Sequence, residues 1–417
     1  MDVTFFRQFR EQFPALSRQV GAHPAAYFDG PAGTQVPQRV IDAVSNYFSR
    51  HNANHGGHFA TSRESDAMLD SAHRAVADLL GVRDAETVIF GPNMTTLTLA
   101  LSRALSRTWR PGDEIVLTRL DHDANFTPWA LAARDAGATV RVVDIQTQDC
   151  TLDLRHFEQV LSNRTRLVAV GCASNATGTV NPVAAITELS HRHGAQVFLD
   201  AVHFAPHALI RVQDWHCDYL ACSAYKFFGP HIGMLWGRRE LLEELPAYKV
   251  RPAPDALPGK WMTGTQNHEC IAGVVAAIDY IADLGRAAGC KQPNDRRHCL
   301  ERAFAAIESY ERSLSRRFLE GLAGAAEIQI HGITDLARLE QRLPTFSLTH
   351  RSRPAPQWAQ ELGERGMFAW HGNYYALNLS EALGKEPDGM LRVGFVHYNT
   401  PGEVDRLVAA LRDGDGK

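Results

Sequence analysis

Ala221-Cys222-Ser223-Ala224-Tyr225-Lys226-Phe227-Phe228-Gly229-Pro230 places one lysine at the end of a short apolar run, among small and aromatic residues. An amine in such surroundings loses the solvation of its charge. Its pKa falls, and the neutral form becomes a nucleophile for an aldehyde. The plainer alternative is a strand-end lysine that snorkels to solvent, and the residues on either side decide between the two.

Upstream, Leu199-Asp200-Ala201-Val202-His203 puts an acid at the C-terminal end of the preceding apolar run, where open α/β sheets hold ligands. Asp200 there can pair with a pyridinium nitrogen and keep it protonated, although a helix N-cap is the bland use of the same residue. Three further strand ends carry polar clusters: Gly91-Pro92-Asn93-Met94-Thr95-Thr96, Asp121-His122-Asp123-Ala124-Asn125 and Ala173-Ser174-Asn175. Thr95 and the amides beside it open a helix, which favours a phosphate through unpaired N–H groups and the macrodipole. His122 is both aromatic and basic, suited to stacking on a ring and to moving protons. Asn93 and Asn175 also serve as ordinary turn formers.

From Glu86 onward, short β-branched runs alternate with helical patterns, the signature of βαβ units on a mostly parallel sheet. Expected strands are 87–90, 114–117, 139–143, 167–170, 196–199, 219–222 and 233–236, with helices at 97–106, 128–136 and 182–193 among them. Prolines 246, 252, 254 and 258 crowd a connecting segment. Beyond it a long helix (299–323), strands at 327–330, 344–348 and 391–395, and helices at 356–365 and 402–412 make a smaller α+β unit. The expected organisation is a packing segment at 1–25, a large domain at 26–285 and a small C-terminal domain at 286–417.

With 417 residues, 45% hydrophobic and 22% charged, the chain has the composition of an ordinary globular protein. A formal charge of −4 gives no electrostatic reason to expect nucleic acid or an acidic membrane as partner. The early acid in Met1-Asp2-Val3 and the lack of a long apolar run argue against a signal peptide or a membrane span. The seven cysteines form no Cys-x-x-Cys pair, so a reduced, cytoplasmic protein without a metal site is expected.

In this order the motifs resemble the class V aminotransferase family, most closely its cysteine-desulfurase-like branch. The resemblance runs from Tyr27-Phe28-Asp29-Gly30-Pro31-Ala32-Gly33 to Tyr398-Asn399-Thr400, about nine-tenths of the chain. It implies an α/β fold of the pyridoxal-5′-phosphate (PLP) type I kind, a large domain with a mostly parallel seven-stranded sheet plus a small α+β domain. It also implies that Lys226 carries the cofactor as an aldimine, that Asp200 bonds the pyridine nitrogen, and that His203 contacts the phenolic oxygen. His122 is then the stacking acid/base, with Asn175 beside cofactor and substrate. Asn93, Met94, Thr95, Ser223 and Tyr225 fall at cofactor-binding positions, Tyr225 in place of a histidine common in desulfurases. Gly264-Thr265 matches a pair that reaches the phosphate from the neighbouring subunit, which implies a homodimer with shared sites. Arg392 matches the arginine that forks onto the α-carboxylate of an amino acid, where a surface arginine is the plain alternative.

The pattern breaks at Gly366-Met367-Phe368-Ala369-Trp370-His371-Gly372-Asn373-Tyr374-Tyr375-Ala376, which contains no cysteine where a desulfurase carries its persulfide. Tyr375 stands about where that cysteine would be, and Trp370 about where a second arginine is usual. Trp370, Tyr374, Tyr375 and His55 join Arg392 and Asn175 as substrate-side candidates. The resulting expectation is a lyase acting on a small α-amino acid through a quinonoid: C–S cleavage, β-elimination or decarboxylative C–C bond formation. An epimerase or aminotransferase is the second reading, and a non-catalytic binding homologue the third.

Overall fold

The computed structural model describes residues 3–413; Met1, Asp2 and residues 414–417, which the sequence reading assigned to the terminal segments, lie outside the described residues. Seven strands form the central sheet: β1 (Val88–Gly91), β2 (Glu114–Thr118), β3 (Thr139–Val143), β4 (Thr165–Gly171), β5 (Gln196–Asp200), β6 (Tyr219–Ser223) and β7 (Gly233–Gly237). Their order is β1-β7-β6-β5-β4-β2-β3. Only β7 runs antiparallel to its neighbours, and the other pairings are parallel.

Strands β1, β2, β5, β6 and β7 are almost wholly buried because helices cover both faces, so they read as continuous apolar runs. Edge strand β3 instead alternates exposed and half-buried residues, as a one-sided edge does. Since β1 and β6 are both antiparallel to β7, they run the same way as β2, β4 and β5. The C-terminal ends of these five strands therefore share one rim of the sheet.

A second sheet of four strands, β8 (Ile328–His331), β9 (Thr345–His350), β10 (Trp370–Gly372) and β11 (Met390–Gly394), has the order β8-β9-β11-β10 and is antiparallel throughout. The helix Arg296–Leu322 leads into it and packs on the helix His268–Ala287. The N-terminal helix Val3–Arg10 buries Phe6 and Phe9, with Phe6 stacked on Tyr310 at 4.3 Å and Phe9 edge-on to Tyr280. Arg10 pairs with Glu403 at 2.8 Å and ties that helix to the C-terminal one.

Two glycines set how closely the rim is built. A Cβ on Gly233 would lie 2.3 Å from the Asn93 carbonyl carbon, so β7 touches the backbone that starts helix Met94–Ser106. A Cβ on Gly171 would lie 2.8 Å from the Asp121 carboxylate.

Candidate active site

Lys226 follows β6 in a single helical turn, Ala224–Lys226, and its amine is buried. It donates to the carbonyls of Pro31 and Ala32, the latter at 3.0 Å, and makes no ion pair with a carboxylate among the described residues. Burial first, then the charge of Arg392, pulls its pKa down to about 7. A lowered pKa of this size makes the neutral, nucleophilic form of the amine accessible near pH 7, as the apolar run requires.

One cavity collects Asn93, Met94, Thr95, Asp121, His122, Asn175, Asp200, His203, Ser223, Tyr225 and Lys226. Eleven side chains from five strand ends thus meet where open sheets bind ligands. Asp200 is buried at the end of β5, accepts from the Val202 N–H at 2.8 Å, and is pushed up to about 6 by desolvation. His122 accepts from the Ala124 N–H on Nδ1 at 3.0 Å, so its neutral tautomer carries the hydrogen on Nε2. Burial, then the Lys226 and Arg392 charges, lowers its pKa to about 4.

The helix Met94–Ser106 opens beside Lys226. Asn93 caps it by accepting from the Thr96 N–H at 2.8 Å, and the Met94 N–H donates to Ser223 Oγ at 3.0 Å. Ser223 keeps its own hydroxyl proton for an incoming acceptor. These groups give an anion a ready seat at a helix N-terminus.

Several polar atoms around the cavity are left in want of a partner. Asn175 Oδ1, His203 Nδ1 and Asp29 Oδ1 are buried without a hydrogen bond. Asn175 and His203 line the cavity itself, and their unpartnered atoms are open to a bound polar molecule there. PLP fits that demand: Lys226 to bond its aldehyde, Asp200 for its ring nitrogen, His203 Nδ1 toward its ring oxygen, and Ser223 with the Thr95 amide region for its phosphate.

Arg392 on β11 is 5% exposed and donates to the Asn175 carbonyl at 2.9 Å. Its guanidinium lies 4.2 Å over the Tyr374 ring. No carboxylate among the described residues pairs with it, which leaves its second edge for a substrate acid. The Tyr375 ring stacks on His122, with centroids 5.4 Å apart and planes 24° apart. Both tyrosines have left-handed backbones, φ 56° and 62°, an uncommon and costly state for bulky residues. Two bonds hold them there: Asn175 Nδ2 to the Tyr374 carbonyl at 2.9 Å and the Asp123 N–H to the Tyr375 carbonyl at 2.7 Å.

Three expected residues lie elsewhere. His55, Gly264 and Thr265 line a separate groove with His268 and the proline-rich segment, so within one chain they do not reach Lys226. His55 follows the helical turn Tyr47–His51, and its ring packs edge-on against His268. Trp370 sits directly opposite Arg392 in the β10–β11 ladder but remains 53% exposed, so it walls the pocket less than expected.

Sequence reading missed Asp29, whose carboxyl is raised to about 6 by burial. It also left Asp121 unassigned, although burial raises it to about 7 and Thr118 and Asn125 donate to it. A signal existed for Asp29, since it belongs to the quoted run Tyr27–Gly33.

An open sheet whose rim offers an unpaired amine, an acid for a ring nitrogen and an anion seat is the plan of a PLP enzyme of fold type I, and the chain is such an enzyme. It belongs to the aminotransferase class-V family, whose sequence pattern matches residues 26–301. A probable cysteine desulfurase of Vibrio cholerae is 30% identical, with 96% of each chain covered. A cysteine desulfurase of an Enterobacter species is 32% identical over 97% of this chain and 96% of its own. Among solved structures, the cysteine desulfurase CsdA of Escherichia coli superposes with a TM-score of 0.83 at 27% identity over 98% of both chains. The apo desulfurase of Thermococcus onnurineus, with a TM-score of 0.85 at 24% identity and 97% of both chains covered, shares the fold.

These relatives overturn the lyase expectation. It rested on the missing cysteine in residues 366–376, one short loop, whereas the likeness to proteins named desulfurases extends over nearly the whole chain.

Proposed function

We propose that the protein desulfurates cysteine, passing its sulfur to a thiol that enters from solvent and releasing alanine. The observation that carries this reading is the buried, acid-free Arg392 guanidinium beside the Lys226 cavity, in a chain about 30% identical to desulfurases over nearly its full length. Arg392 suits the α-carboxylate of the substrate, and its stacking on Tyr374 keeps the fork oriented.

Bound PLP supplies an electron sink conjugated to the substrate's Cα. The chain's residues do the rest. Lys226, whose pKa is pulled down to about 7, takes and returns the proton at Cα. Asp200 as carboxylate holds positive charge on the ring nitrogen. His122, neutral with Nε2–H, donates from Nε2 to the substrate at the mouth of the cavity. Asn175 brings both an unpartnered oxygen and, through its carbonyl, the anchor of Arg392.

The atoms balance as cysteine plus R–SH giving alanine plus R–S–SH. The thiol sulfur bonds the substrate sulfur, the C–S bond breaks with its pair left on Cβ, and a proton delivered there completes the methyl group. Tyr375, 71% exposed at the mouth, marks the side from which R–SH arrives.

A homodimer belongs to the same proposal: the groove with Gly264, Thr265 and His55 supplies groups suited to a partner's site. Seven free cysteines suit a reducing, cytoplasmic setting.

The test is incubation of PLP-loaded protein with cysteine and dithiothreitol, with products separated by chromatography. Alanine and sulfide in equal amounts are expected. Pyruvate and ammonia in place of alanine would overturn the proposal.

A further inference from the structure

Cys290 and Cys299 lie at the junction of the two long helices, far along the chain from the Lys226 rim. Their sulfurs are 3.3 Å apart. Each is fixed by the backbone that carries it. The Cys290 N–H donates to the Gly285 carbonyl at 3.1 Å, which extends the end of helix His268–Ala287. Cys299 sits in the first turns of helix Arg296–Leu322, whose cap, Asp295, accepts from the His298 N–H at 3.1 Å. The Cys299 thiol also lies 3.7 and 3.6 Å from the Gln292 and Pro293 carbonyls, so the short connection wraps around it.

The two helices touch here at backbone distance. A Cβ on Gly285 would fall 1.8 Å from the Cys299 carbonyl oxygen. Neither helix can slide without losing this contact, so the sulfurs stay close. Their 3.3 Å separation is little more than 1 Å longer than a disulfide bond of about 2.05 Å. The pair also differs in access: Cys290 is half-buried and Cys299 fully buried. The other five cysteines have no sulfur partner among the described residues, and four of them are buried.

We propose that Cys290 and Cys299 form a dithiol modification site, oxidised to an intramolecular disulfide by small-molecule disulfides and reopened by thiols. Cys290, the accessible member, attacks a disulfide RSSR as thiolate, forming a mixed disulfide and releasing one RS⁻. Cys299 then attacks the Cys290 sulfur, closing the bridge and releasing the second RS⁻. The two protein protons pass to the two leaving thiolates, so the dithiol plus RSSR gives the bridge plus two RSH. Arg286 stands by to favour the Cys299 thiolate, while burial and the neighbouring sulfur hold its pKa up at about 11. Closure is therefore the slow step and quickens as pH rises. The bridge joins the helix behind the large sheet to the helix that leads into the small one.

The experiment treats PLP-loaded protein with oxidised glutathione, alkylates remaining thiols after denaturation, and maps peptides by mass spectrometry. The expected product is a linked pair of peptides holding Cys290 and Cys299, two hydrogens lighter and restored by dithiothreitol. Cys299→Ser should leave glutathione on Cys290, and Cys290→Ser should leave Cys299 unmodified. Recovery of wild-type Cys299 fully alkylated, with glutathione parked on Cys290, would overturn the proposal. So would a bridge from Cys290 to Cys270 or to a second chain.

Discussion

The Arg392 guanidinium lies 4.2 Å above the Tyr374 ring while donating to the Asn175 carbonyl at 2.9 Å. The arginine is thus oriented by an aromatic face below and a carbonyl at its edge, and its remaining donors are aimed by packing rather than by a counter-ion.

Arg392→Ala should raise KM for cysteine by roughly 10- to 100-fold, the range expected for losing charge-assisted hydrogen bonds worth about 1.5–3 kcal/mol. The visible absorbance of bound PLP should persist. Its loss would make Arg392 a structural residue instead.

Tyr374→Ala should raise KM through loss of orientation, by several-fold at about 1 kcal/mol for the ring contact. Tyr374→Phe keeps the ring and should fall between the variant and wild type. Equal KM in all three proteins would remove the ring from any positioning role.

Lys226→Ala should fail to retain PLP through gel filtration, and its visible band should be missing. Asp200→Asn should retain the cofactor yet lower kcat by about a hundredfold or more, the scale of breaking a buried charge pair worth about 3 kcal/mol. A kcat within twofold of wild type would place the ring nitrogen elsewhere.

The Lys226 pKa also sets a pH dependence for the cofactor-free protein. Its folded value, about 7, is below its ordinary 10.5, so the unfolded chain binds more protons between these limits. Stability from this group is therefore least below pH 7 and rises with pH through that window. Cysteines and tyrosines titrate in the opposite sense above it, so the readout is the difference between wild type and Lys226→Met in urea. That difference should shrink from pH 7 to pH 9, and a constant difference would refute the shift.

Gly233→Ala tests the rim itself. The added carbon meets the Asn93 backbone, which cannot rotate away. The fold should lose on the order of 1–3 kcal/mol in denaturant unfolding, with weaker PLP retention because Asn93 starts the phosphate-side helix.

The large sheet was legible because its strands are buried on both faces and its helices are amphipathic. Every expected strand there falls within two residues of an observed one, the seven running from Val88 to Gly237. The helix Ala60–Leu80 went unread, although Leu69, Ala72, Val76 and Leu79 mark its buried face. The helix His268–Ala287 was also passed over, because the prolines just before it drew the reading toward a connection. The cavity residues were legible because each follows a strand. The Pro31 and Ala32 carbonyls were not: they reach Lys226 from almost 200 positions away, and no local pattern reports such a contact. The loop of Tyr374 and Tyr375 misled in a different way, since one missing residue type outweighed the likeness of the rest of the chain.

The hydrogen bonds from Lys226 to the Pro31 and Ala32 carbonyls have a consequence for chemical selectivity. A neutral amine is a hazard wherever sugars and stray aldehydes circulate, because any of them can condense with it. Here the nitrogen is buried and must first leave two carbonyls. A small aldehyde brings nothing to replace them, whereas one that carries a phosphate and a basic ring gains contacts at Ser223 and Asp200 as it arrives. The amine is thus guarded until the right aldehyde comes, and the guard is nothing more than two backbone oxygens from the far end of the chain.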